Sequence, residues 1–154
     1  VDVRGPHLAE VVHLTTSIAR APEDVYAFAC DPRNLPLWAA GLARSSVRQA
    51  GDAWVVNGPV GTVTLRFAPA NPSGVLDHEV ELPTGAVIHN PMRVLPNGAG
   101  SEFVFSLFRQ PGTTDEQFRA DRRAVEDDLK CLKRLLEERR DPPGRDVPGE
   151  HASR

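Results

Sequence analysis

The chain has 154 residues, with 18 Lys and Arg against 21 Asp and Glu and a formal charge of -3. A chain this long buries roughly 70% of the surface it exposes when unfolded, enough for one domain with a real core. The slightly acidic balance lacks the basic surface that phosphate backbones require, which argues against a nucleic-acid partner. No apolar run reaches the ~18 residues of a membrane span, and no basic segment followed by an apolar stretch opens the sequence. The expected setting is therefore cytoplasmic. Cys30 and Cys131 stand far apart without metal-ligand spacing and read as two reduced thiols. The glycine-containing turns show no phosphate-binding spacing, so no cofactor is expected.

Residues 1–7 and 140–154 carry Pro, Gly and charge without periodicity and are expected to be loose, leaving 8–139 as a single domain. Val12, Leu14, Thr16 and Ile18 alternate with His13, Thr15, Ser17 and Ala19, the period of a half-buried strand. Pro22 then stands where a helix begins, with Glu23 and Asp24 in its first turn and Val25, Tyr26 and Phe28 on an apolar face. This helix ends near Asp31-Pro32. Leu35, Leu37 and Trp38 give a second short helical stretch, limited by Pro36.

From Ala43 to Gln110 the sequence reads as antiparallel hairpins. Side chains alternate between faces, so the turns can be tested for parity. With Trp54, Val56, Val63, Leu65 and Phe67 inward, a turn at Asn57-Gly58-Pro59-Val60 sets Val56 opposite Gly61 and Trp54 opposite Val63. A loop at Ala70-Asn71-Pro72-Ser73 sets Phe67 against Leu76, Leu65 against His78 and Val63 against Val80. A turn at Pro83-Thr84-Gly85 pairs Leu82 with Ala86, Val80 with Ile88, His78 with Asn90 and Leu76 with Met92. A bulge at Pro91 would shift this last register by one. After Asn97-Gly98-Ala99-Gly100, Phe103, Phe105 and Leu107 face inward on the final strand. Thr114 and Gln117 fit a capping box, and Phe118, Val125, Leu129, Leu132 and Leu136 recur at helical spacing to Glu137. The expected class is α+β: a strand, two short helices, a six-stranded antiparallel meander and a long C-terminal helix.

That order, and the stretch from Ile18 through Pro22-Glu23-Asp24-Val25-Tyr26-Ala27-Phe28 to Asp31-Pro32-Arg33-Asn34-Leu35-Pro36-Leu37-Trp38, resembles the opening of polyketide cyclase/dehydrase-type members of the START-like, or Bet v 1-like (SRPBCC), superfamily. The resemblance implies a helix-grip fold, with a curved sheet around the long helix and an apolar cavity between them. It implies a small hydrophobic, ring-containing partner, and it admits a homodimer through an exposed sheet edge. Because the fold hosts carriers as well as cyclases, it leaves binding, aldol-type ring closure or dehydration, and a non-catalytic interaction role open.

His78 and Asn90 are polar residues on a face that is otherwise apolar. A neutral imidazole can take a proton from an acidic carbon while an amide holds the developing enolate oxygen, so the pair is the candidate catalytic couple. The alternative is a buried histidine bonded to Asn90 for structural reasons. The candidate ligand-lining residues are Tyr26, Trp38, Trp54, Leu65, Val80, Ile88, Met92, Phe103, Phe105 and Phe118, which as core anchors also have a purely structural reading. Asp77 and Glu79 point away from His78 on the same strand, and His89 faces outward with them, so no metal site is expected. Arg66 falls on the outer face. Cyclase-type members pair an Arg with a Tyr or Trp in the pocket, and by residue type Arg93, Tyr26 and Trp38 are the candidates here; no local motif assigns them a role.

Overall fold

The computed structural model describes residues 7–40, 46–58 and 61–139. The ends expected to be loose lie outside these residues, except for His7, as do Ala43, Pro59 and Val60. Strand β1 (Val11–Ile18) buries Leu14 and Ile18 and leads into helix α1 (Pro22–Ala29). A single 3-10 turn, Pro32–Asn34, and helix α2 (Leu35–Trp38) follow. Asp31 starts that turn by accepting a hydrogen bond from the Arg33 backbone N–H at 3.0 Å, which satisfies a donor that has no partner within the turn.

Strands β2 (Val47–Ala50), β3 (Ala53–Gly58), β4 (Gly61–Phe67), β5 (His78–Glu81) and β6 (Val87–Asn90) form a five-stranded antiparallel sheet in sequence order. Strands β7 (Met92–Asn97) and β8 (Gly100–Phe108) join β1 in a three-stranded sheet of order β1-β8-β7. β6 and β7 are one path through the sheet broken at Pro91, which has no N–H to give to a ladder. The meander is thus six strands when this path is taken as one. The chain ends in helix α3 (Asp115–Glu138), whose capping box at Thr114 and Gln117 forms as the sequence predicts.

Two of the three turn registers differ from expectation. Val56 pairs with Val63 and Trp54 with Leu65, not with Gly61 and Val63. The ladder runs on to Gly58 opposite Gly61, and Thr62 donates across the strands to Asn57 at 3.0 Å. Phe67 pairs with His78 and Leu65 with Val80, not with Leu76 and His78. Here the ladder continues to Ala68, whose N–H bonds the carbonyl of Asp77, and the connection is wider than four residues because the Asn71 side chain organises it. That amide donates to the carbonyls of Pro69 and Val75 and accepts from the N–H groups of Ser73 and Val75. Both shifts are by two residues, so every side chain stays on its expected face. After Pro83-Thr84-Gly85 the pairs Val80–Ile88 and His78–Asn90 form as expected. The Leu76 N–H reaches the Met92 carbonyl at 2.9 Å, so Pro91 causes no slip.

The core runs along the inner face of both sheets and under one stripe of α3. Val56, Val63, Leu65, Leu76, Met92 and Phe103 meet Leu129, Leu132 and Leu136 there. α3 packs mainly on β1 and α2, at one side of the sheet. Its C-terminal end is held by Arg20, which donates to the carbonyls of Leu136 and Arg139 at 3.0 and 2.8 Å. At Gly74 the φ is +70° and an added Cβ would stand 2.2 Å from the Val94 carbonyl oxygen, so only glycine lets these segments approach.

Candidate functional site

His78 sits in the middle of the inner face, 5% exposed. Its Nδ1–H donates to the Leu76 carbonyl oxygen at 3.1 Å, and its Nε2 accepts from the Asn90 amide at 3.4 Å. Phe67 lies against one face of the imidazole, with centroids 5.0 Å apart, and Phe105 is near at 6.3 Å. Burial pushes the imidazole pKa down to about 4, the Leu76 carbonyl opposes this, and the charge of His89 adds to it. The ring is therefore neutral at neutral pH with both nitrogens engaged. The structure brings the candidate pair together as the parity argument requires.

The carboxylates flanking His78 do point away. Asp77 accepts from the Met92 N–H at 2.9 Å and forms an ion pair with Arg93, while Glu79 lies 3.9 Å from His89 on the exposed face. Arg66 pairs with Glu81 at 3.2 Å on that same outer face. Arg93 is thus engaged outside the core, and it does not join Tyr26 and Trp38. Among the described residues no group of three His, Cys, Asp or Glu side chains is placed to hold a metal ion. No described helix is long and apolar enough to cross a membrane.

Of the candidate lining residues, Leu65, Val80, Met92, Phe103 and Trp38 are buried in the central core, and Phe118 is buried near the start of α3 beneath the Arg109 guanidinium. Trp38 meets Phe103 edge to face at 6.1 Å, and its indole N–H is buried with no hydrogen-bond partner among the described residues. Tyr26, Trp54, Ile88 and Phe105 are half-buried at the margins of the core. The Tyr26 hydroxyl accepts from the Asn71 N–H at 3.2 Å and so ties α1 to the β4–β5 connection.

One concavity of about 390 Å³ brings Trp54 together with residues that sequence reasoning did not group with it. It lies between the C-terminal end of α1 and the β2–β3 hairpin, lined by Ala27, Cys30, Asp31, Pro32, Asp52, Trp54 and Phe67. No residue of α3 lines it, so it differs in place from the cavity that the family resemblance implies. Phe67 was legible as an inward residue by parity; the approach of α1 to the hairpin turn has no signature in local sequence. The Cys30 thiol is raised by burial and then by the neighbouring Asp31 carboxylate, which keeps it protonated. Arg33 holds the Asp31 carboxyl below its ordinary value through two hydrogen bonds from Nε at 2.9 and 3.2 Å and one from Nη2 at 2.8 Å. A second concavity, of about 260 Å³, shares Ala27 with the first and includes Arg20, Asp24, Phe28 and Arg139.

A long helix gripped by an antiparallel sheet, with two short helices after the first strand, defines the helix-grip proteins of the START-like and Bet v 1-like superfamily. The sequence model of the family described as polyketide cyclase/dehydrase and lipid transport matches residues 10–137, and the chain belongs to that family. Its fold is similar to that of XoxI from Bacillus cereus, with a TM-score of 0.65 at 19% identity over 83% of this chain and 96% of that one. It is also similar to the Aha1 dimer from Colwellia psychrerythraea, with a TM-score of 0.64 at 14% identity over 84% and 97% of the two chains. Ara h 8.0201 matches with a TM-score of 0.60 at 13% identity over 83% and 97%. At these identities the likeness shows the fold alone. No curated protein matches the sequence.

Proposed function

We propose that the protein binds a small hydrophobic, ring-containing molecule against Trp54 and Phe67. The observation that carries this reading is that two large aromatic side chains on the inner face stay partly exposed in a concavity of about 390 Å³, within the volume range of small-molecule sites. Aromatic surface left in contact with water gains free energy when an apolar ring covers it, at roughly 25 cal/mol per Å². Membership of a family that includes lipid transport supports the same reading.

The test follows the two indole N–H resonances while naphthalene- and steroid-sized ligands are titrated, with Trp38→Phe and Trp54→Phe to assign them. Saturable shifts of the Trp54 resonance, lost in Phe67→Ala, are expected. Absence of any saturable shift across the panel overturns the reading.

Ring closure or dehydration is a second reading, favoured by the family description and by the contact between His78 and Asn90. In it the substrate displaces the Asn90 amide from Nε2, freeing a neutral imidazole to accept a proton while the amide turns to the substrate oxygen. Turnover unaffected by His78→Ala rejects this assignment.

A further inference from the structure

The concavity beside α1 has a chemical bias that its aromatic walls alone do not explain. Its lining combines apolar and aromatic groups and a protonated thiol with two carboxylates, Asp31 and Asp52, and among the described residues it includes no Lys, Arg or His. The two acids are not equivalent. Asp31 is spent on local structure, capping the 3-10 turn and pairing with Arg33. Asp52, in the β2–β3 turn, is exposed and makes no hydrogen bond or ion pair with the described residues. Its charge is available to a ligand lying on Trp54, two residues along the same strand path. The smaller concavity, which shares Ala27 with this one, has the reverse bias, with Arg20 and Arg139 against Asp24.

We propose that this concavity selects ring-containing molecules that carry a positive charge, with Asp52 as the selecting carboxylate and Trp54 and Phe67 as the ring platform. The inference deepens the binding reading above and rests on it. A protonated amine gains from the carboxylate and from the negative faces of the aromatic rings, while a carboxylate on the same skeleton is repelled. Because the site is open to water, the expected preference is moderate, about three- to tenfold, and it weakens as salt screens the charge.

The experiment titrates the full chain at pH 7 with three probes of one skeleton, 1-naphthylmethylamine, 1-naphthylmethanol and 1-naphthoate, following the Trp54 indole N–H resonance. The amine is expected to bind about fivefold tighter than the alcohol, and the alcohol tighter than the carboxylate. Asp52→Asn should bring the amine to the affinity of the alcohol and leave the alcohol unchanged, and Asp52→Lys should invert the order. Equal binding of amine and alcohol, or a preference that survives Asp52→Asn, overturns the selection while leaving the binding reading intact. If none of the three probes binds, the binding reading itself fails and the selection falls with it.

Discussion

Two neighbouring rows cross the same concave face of the five-stranded sheet. One runs Phe67–His78–Asn90, the other Trp54–Leu65–Val80–Ile88. The first contains the polar residues that attract attention in the sequence, and its histidine is closed over by an aromatic ring with both nitrogens bonded. The second is apolar from Ile88 to Trp54 before it reaches Gln49 on β2, and its tryptophan stays partly exposed beside a concavity. A polar group inside a core has to be satisfied there, so its presence on an inner face is equally well explained by structure. A large aromatic surface that folding has not covered still has free energy to gain, and that surplus is available to a ligand.

Substitutions along these rows test the contrast. The largest loss is expected in the middle of the second row, where Leu65 is fully buried between Trp54 and Val80. Leu65→Ala should cost about 3 kcal/mol in urea unfolding, by lost transfer energy and the cavity left behind. A cost below about 1 kcal/mol would mean that this part of the face is not packed as described.

His78 provides a pH test of the buried centre of the first row. Its folded pKa of about 4 lies below the ordinary 6.5, so the unfolded chain takes up the proton first. Its contribution is fully present above pH 6.5 and is lost as pH falls from 6.5 to about 4, amounting to about 3 kcal/mol at most. His78→Leu should therefore show a shallower fall in unfolding free energy across that window than the parent chain. Parallel pH profiles would place His78 in contact with water.

The smallest stability effect belongs to Trp54. Trp54→Ala should cost about 1 kcal/mol, well under the ~3–5 of a fully buried aromatic, while abolishing the ligand response seen through Phe67 and its neighbours. A cost as large as that of Leu65→Ala would make Trp54 a core anchor and remove the contrast between the rows.

Much of this architecture was legible in the sequence because it depends on short-range periodicity. The inward set Trp54, Val56, Val63, Leu65, Phe67 and His78 follows from parity alone, and both register errors left it intact because each was a shift of two. The capping box at Thr114 and the apolar stripe of α3 follow from local bonding and a 3.6-residue period. The registers of β3 with β4 and of β4 with β5 were not legible, the second because it depends on what the Asn71 side chain bonds within its loop.

The sequence by itself determined which residues face inward and in what order the elements come, since a side chain's direction is fixed by the geometry of its own strand or helix. Only the tertiary structure decided which inward residues would be sealed and which left open. That depends on where α1 and its following turn come to rest against the β2–β3 hairpin, which places Cys30, Asp31 and Pro32 beside Asp52, Trp54 and Phe67. Such a meeting of distant segments is set by the packing of the whole core, and no local pattern encodes it.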